Sequence, residues 1–282
     1  MRPLQRVAAI LPGPLQRNSR NKILVALCLL LSAASLGRAQ ELDDYKVRMS
    51  GVWWYPQNSG TIEGRGDQGS FDLQKDFGFT YYPTFNYQLD WRFKRKQHLL
   101  FNASVLDNSA TRAIARTITF EGKTFTVGTQ TTATIKTYSF SPGYQYDFIR
   151  RDHGYLALGT VFYLLDTEAG LTGIVNVNGQ NATQTVSDST FSPVPVIGPR
   201  ARWYPLHASN RLSLDGYVQG MYFFGYGDIW SARGAVNVGI VRHLNVTAGY
   251  FLGSALSVHG TNNRIGLELR QKGAIVGLEG SW

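Results

Sequence analysis

The side chains most able to do chemistry are few: five histidines, one cysteine and a sparse set of carboxylates. His259 is the one histidine placed toward the outer side, and Thr261 and Glu268 follow it in the chain. His98, His153, His207 and His243 each fall in or beside short polar segments, which predicts solvated turn residues. Cys28 is the sole thiol and sits in an apolar N-terminal run, so disulfides and thiol catalysis are not expected of the mature chain. No cluster of His, Cys, Asp or Glu has ligand spacing, so no metal and no cofactor is expected.

A larger constellation is electrostatic. Lys46, Arg48, Asp90, Arg92, Asp147, Arg200, Arg202, Asp215, Arg233 and Glu279 are mixed in sign and fall on the polar side of alternating segments. In a closed sheet such residues line the interior, either as a charged pore or as ion pairs that fill the lumen. Around ten strands give a narrow barrel, which favours the filled lumen while leaving room for passage of small solutes.

The elements that position these residues are strands. In Phe85–Lys94, Phe85, Tyr87, Leu89, Trp91 and Phe93 share one side, and Asn86, Gln88, Asp90, Arg92 and Lys94 the other. Tyr138–Phe148 and Leu212–Tyr222 repeat the pattern. Further strands are predicted over Tyr45–Tyr55, Leu99–Val105, Tyr155–Leu165, Val194–Tyr204, Ala232–Val241, Val246–Leu252 and the C-terminal stretch. Tyr155–Leu165 is apolar on both faces and gives no side assignment. Pro193, Pro195 and Pro199 conflict with a regular ladder, which places the first two at a bulge or beyond the barrel wall. In Arg264–Trp282 the parity of Ile265, Leu267 and Leu269 opposes that of Val276 and Leu278, which predicts a bulge near 271–273 or a loop hairpin over 264–270.

The connections alternate. Segments 94–98, 149–154, 206–211 and 242–245 are tight and polar, whereas 56–83, 107–135, 166–190 and 225–231 are mostly longer and rich in Gly, Ser, Thr and Asn. The two longest carry hairpin patterns, Ile118–Val127 and Ile174–Val186. Phe120, Phe125, Val127, Ile174, Val175 and Val177 are the apolar residues there that could meet an external ligand, or pack on one another. The expected fold is all-β: a transmembrane antiparallel up-and-down barrel of about ten strands, with eight or twelve as alternatives. A soluble lipocalin-like barrel would share the period-two alternation. Aromatics near both strand ends favour the membrane reading: Trp53, Trp54, Tyr55, Tyr81, Tyr82, Tyr138, Tyr222, Phe224, Tyr226 and Trp230 at one end, and Trp91, Phe93, Phe148, Tyr155, Trp203 and Trp282 at the other.

The ends of the chain extend this reading. Arg17, Arg20 and Lys22 precede the apolar run 23–36, followed by Gly37-Arg38-Ala39, which is the pattern of a cleaved signal peptide over 1–39. Residues 40–282 then form a single domain. The formal charge of +9 falls to +3 without the leader, since residues 1–39 carry six basic and no acidic residues, and nucleic acid is not an expected partner. The final strand, with Leu278, Gly280 and Trp282 on one side, resembles the C-terminal assembly signal of bacterial outer-membrane β-barrels. Strand alternation, loops and this terminal aromatic together resemble the small OmpA/OmpX/Opa-type barrels over 40–282. The resemblance implies residence in the outer membrane of a Gram-negative cell envelope. The partners it implies are outer-membrane lipids, the barrel assembly machinery and an external ligand at loops 107–135 and 166–190.

That resemblance leaves three functions open: a non-enzymatic structural or surface-interaction barrel, a porin-like passive channel, and a lipid A hydrolase. The last rests on Val258-His-Gly-Thr-Asn262, which is similar to the His-x-Ser-Asn stretch of lipid A deacylases but has Thr261 in place of serine. Omptin proteases need Asp-Asp and Asp-His pairs at the outer rim. Asp43-Asp44 is at the opposite end, and a non-enzymatic role is the expectation.

Overall fold

The computed structural model describes residues 43–65, 69–177, 180–206, 209–224, 227–259 and 265–282, with the side chains of 176, 177 and 252–255 left aside. The segment 1–39 expected to be a leader, with Cys28, and His207, Tyr226 and Thr261, lie outside the described residues.

Ten long strands close into a ring. They are β1 (Val47–Glu63), β3 (Thr84–Lys94), β4 (Gln97–Ala113), β7 (Gln130–Arg151), β8 (Gly154–Val177), β9 (Gln180–Trp203), β10 (Leu212–Phe223), β11 (Gly227–Val241), β12 (Leu244–Val258) and β13 (Gly266–Ser281). Each pairs antiparallel with its neighbour in sequence, and β13 returns to β1. Closure removes the exposed edges that an open sheet would leave. Three short strands, β2 (Ser70–Asp72), β5 (Ile118–Phe120) and β6 (Lys123–Phe125), belong to the loops. All ten predicted strands are present, and the ring is an up-and-down barrel.

Side-chain alternation is resolved the membrane way. Trp53, Tyr87, Trp91, Tyr138, Phe140, Phe148, Val276 and Leu278 are exposed on the outer wall, while Arg48, Asp147, Arg202 and Glu279 are buried inside. A soluble barrel would reverse these faces. Two girdle assignments are corrected. Trp54 points inward against Phe251, because adjacent residues of a strand must take opposite faces. Tyr155 also faces the lumen, beside His98. The strand that sequence could not orient is now clear: Leu156, Leu158 and Phe162 face outward, and Ala157, Val161 and Leu165 inward.

The parity conflict near the C-terminus has a different cause from the one expected. The register of β13 with β1 is unbroken, and the irregularity on its other flank falls in β12, between Phe251 and Ser254. Leu267 and Leu269 are interior residues on the same side as Ile275 and Glu279. They are apolar because the barrel interior changes character at its loop end. There Ile62, Phe71, Leu73, Phe77, Phe79, Ile114, Ile118, Phe120 and Phe125 form a packed roof with Ile265, Leu267 and Leu269. Phe71 meets Phe77 and Phe120 edge-on at centroid distances of 5.5 and 5.1 Å. Arg116 clamps the roof by donating to both oxygens of Asp76, at 2.6 and 2.9 Å. Phe120→Ala would cost about 3–5 kcal/mol if the roof is packed as a core. Loss of protection from hydrogen exchange over 69–79 and 114–129 is the expected readout, with the barrel strands unchanged.

The hairpin residues therefore divide. Phe120, Phe125 and Val175 are buried, with Phe125 paired across from Val175, whereas Val127 and Ile174 remain exposed. The side chain of Val177 is not among those described. β8 and β9 run 24 residues each, far beyond the ~9–11 that cross hydrocarbon, so the Ile174–Val186 hairpin is their direct continuation.

The prolines lie within β9, with no bulge. Pro193, Pro195 and Pro199 face Leu164, Phe162 and Leu158 in an unbroken register with β8. They have one parity, so their nitrogens all point to the other flank, toward β10, where no β8 partner needs them. Among the described residues β9 forms ladder pairs with β10 only at Ile197 and over 200–203.

Candidate functional site

The short turns bring the charged interior residues to one level of the lumen, where they form a floor. Asp43, just ahead of β1, accepts from Arg48 Nη2 at 2.6 Å, Arg150 Nη2 at 2.7 Å and the Tyr204 hydroxyl at 2.7 Å. Opposite it, Glu279 on β13 receives Arg202 in a two-pronged bond of 2.5 and 3.1 Å, with Asn245 Nδ2 at 3.2 Å. Arg48 links the halves, its Nε lying 3.7 Å from Glu279. Asp215 accepts from Asn237 Nδ2 at 2.5 Å and lies 3.9 Å from Arg233, which itself donates to Gln88 Oε1 at 2.9 Å. Buried charges persist only when paired and hydrogen-bonded in this manner.

His98 corrects the expectation of a solvated turn histidine. It is fully buried at the start of β4, with Nδ1 2.8 Å from Asp90 and Nε2 3.1 Å from Asp147. Both partners are carboxylates, so the ring satisfies both nitrogens only as the imidazolium. Asp147 also accepts from Gln145 at 2.8 Å and Arg150 at 2.7 Å. Tyr45 donates to Asp90 at 2.6 Å and lies beneath the guanidinium of Arg48, 3.7 Å from its ring centroid. Parity alone could have found His98, since it sits directly across from Arg92 in the β3–β4 register.

Of the lumen-lining set, Arg48, Asp90, Arg92, Asp147, Arg200, Arg202, Asp215, Arg233 and Glu279 lie in or border this interior, while Lys46 is exposed at its turn-end mouth. Arg92 reaches Asp44 Oδ1 and the Asp43 carbonyl, both at 2.8 Å, which draws the Asp43-Asp44 pair into the floor. Of the three hydrolase candidates, Thr261 lies outside the described residues. His259 is exposed after β12, and Glu268 faces outward on β13, accepting from Arg270 at 2.7 Å. Leu278 and Trp282 face outward as well, and the Trp282 amide and carbonyl both bond Val47 at 2.9 Å, closing the ring. Gly280 is buried beside the Trp282 ring.

Between floor and roof lies a chamber of about 130 Å³. Its walls carry Trp54, Thr84, Asn86, Tyr163, Arg200 and Gln219 among others, and no carboxylate.

The ring closure, the interior floor and the loop-end roof set the terms for comparison with solved structures. The outer membrane protease OmpT of Escherichia coli superposes with a TM-score of 0.54 at 8% identity, covering 89% of this chain and all of that one. The chain has the outer-membrane β-barrel fold. Ail, the attachment invasion locus protein of Yersinia pestis, solved with the heparin analogue sucrose octasulfate, gives 0.37 at 8% identity over 83% of this chain and 99% of its own. The Pseudomonas putida toluene transporter TodX gives 0.36 at 9% identity over 90% and 93%. No known sequence family and no curated protein matches the chain. At these identities the likeness is one of fold.

Proposed function

We propose that the chain is an integral outer-membrane protein, non-enzymatic, closed to free diffusion and acting through its outer surface. The observation that carries this reading is the floor: Asp43, Arg48, Arg150, Arg202 and Glu279 join strands on different sides of the ring, so the lumen is filled by paired charges. The Phe71–Phe120 roof supports it from the other end. Outer-membrane lipids suit the exposed aromatic wall, and the terminal aromatic suits the assembly machinery. The long β8–β9 hairpin and the loop over 107–135 are where an external ligand would be met, with Val127 and Ile174 exposed. A non-enzymatic role is supported by the burial of His98 between two carboxylates and by the pairing of Glu268 with Arg270.

Planar-bilayer recording tests the reading. Refolded protein is expected to insert without discrete conductance steps; regular steps of constant amplitude would overturn it. Fractionation of expressing cells checks the location, with the chain expected among outer-membrane proteins and not in the soluble periplasm.

The roof adds a pH dependence. Burial acts to raise the Asp76 carboxyl, but the Arg116 hydrogen bond and the Asp72 backbone contact outweigh it and hold the group below the ordinary carboxylate value. A depressed folded value means that the clamp's contribution is full above about pH 4 and is lost as pH falls through the folded value. Proteolysis of the roof loops is therefore expected to be slow at pH 5 and to quicken progressively as the pH is lowered below about 4. In Asp76→Asn it should be fast throughout this range.

A further inference from the structure

We propose that the lumen chamber is a binding site for a small organic monoanion, one ring in size, held by its carboxylate on Arg200. This goes beyond the closed-barrel reading and does not depend on it, because binding and conduction are separate measurements.

Charge imbalance at one residue is the first observation. Every other lumen guanidinium, on Arg48, Arg92, Arg150, Arg202 and Arg233, has a carboxylate within 4 Å. Among the described residues Arg200 has none. Its guanidinium lies over the Tyr217 ring, 5.0 Å from the centroid, at the boundary between floor and chamber. Arg200 is half-buried, and a cation partly withdrawn from water without a counter-ion favours an anion beside it.

The second observation is independent of charge. Trp54 Nε1, Thr84 Oγ1, Asn86 Nδ2 and Gln219 Oε1 belong to chamber-lining residues, are shielded from solvent, and lack any hydrogen-bond partner. Trp54, Thr84 and Gln219 are each more than nine-tenths buried. Buried polar atoms without partners are rare in folded proteins and call for an occupant. Trp54 and Asn86 can only donate through these atoms, and Thr84 can donate as well, so the set is weighted toward donors. Together with Arg200, and with no carboxylate in the lining, it suits an acceptor-rich anion and disfavours a cation.

The shape supplies the rest of the class. Toward the roof the lining is Leu165, Ile229, Leu256 and Leu269, with Phe251 and Trp54 at the side. A ligand with one charged end and an apolar body matches that division. The volume of about 130 Å³ is close to that of the ~150 Å³ cavities known to admit benzene. A fatty acid is too long, and an aromatic or cycloaliphatic monocarboxylate fits.

Benzoate is the probe, with benzyl alcohol as its uncharged counterpart. Calorimetric titration of the full chain refolded in detergent is expected to show saturable benzoate binding, with benzyl alcohol weaker by roughly tenfold or more, as expected for loss of a charge-assisted bond. Arg200→Gln should weaken benzoate by a similar factor and leave benzyl alcohol within about twofold. Ser139→Phe, which fills the chamber from β7 and leaves Arg200 in place, should abolish saturable binding of both and so report the micelle background. The proposal is overturned if the wild type shows no saturable benzoate binding at millimolar concentration. Equal binding of acid and alcohol, or wild-type affinity in Arg200→Gln, overturns it as well. The comparison of the two probes on wild-type protein needs no variant to fold.

Discussion

Asp43→Ala is expected to destabilise the barrel by about 3–5 kcal/mol, the range for removing one member of a buried ionic cluster. Asp43 is the single acceptor shared by Arg48, Arg150 and the Tyr204 hydroxyl. Taking away its carboxylate leaves Arg48 with only the 3.7 Å contact to Glu279, leaves Arg150 to Asp147 alone among side chains, and leaves the phenol without its acceptor. The neighbouring Asp44→Ala is the control. Asp44 is mostly exposed, and Arg92 keeps the Asp43 carbonyl as a second acceptor when Asp44 is removed, so a change within about 1 kcal/mol is expected. Urea unfolding in lipid vesicles, followed by tryptophan emission, measures both. Equal effects at the two positions would mean that the floor is an ornament of the mouth and does not tie the wall together.

The second large effect concerns closure. At Gly277 a Cβ would stand 2.2 Å from the Gly51 carbonyl oxygen and 2.6 Å from the Val52 Cα. Both obstacles are backbone of β1, the strand that β13 must reach to complete the ring. Gly277→Val therefore has to push the two strands apart, and a loss of more than about 4 kcal/mol is expected, at the extreme of single substitutions. The measurement is the yield of folded barrel after refolding into vesicles, which should fall to near zero. Val276→Ala next to it, on the open outer wall, should fold with nearly unchanged yield.

Much of the fold was legible because strands have a period of two and the wall has two unlike sides. Phe85–Lys94 showed its division outright, and the interior charges followed from parity alone. The features that sequence hid depend on partners distant in the chain. Phe71, Phe77, Phe120 and Phe125 have no common period, since the roof is assembled from separate loops. The parity reversal at Leu267 and Leu269 looked like a register fault because nothing local announces that the interior turns apolar there. His98 was misplaced since it follows a tight basic turn, and its two carboxylates come from β3 and from β7. The chamber is likewise invisible in the sequence: Trp54 belongs to the aromatic cluster Trp53–Tyr55, and only strand parity separates its face from theirs. Arg200 was placed on the interior, but its lack of a counter-ion emerges only when every other guanidinium has found one.

The proline-bearing flank of β9 has a consequence for association. A strand flank normally offers amide hydrogens that another chain can grip, and in hydrocarbon each one left over is costly. At Pro193, Pro195 and Pro199 there is no hydrogen to offer. Those three positions leave no amide hydrogen to satisfy along the stretch where β9 and β10 share few ladder pairs, so this is where two wall strands associate through the fewest bonds.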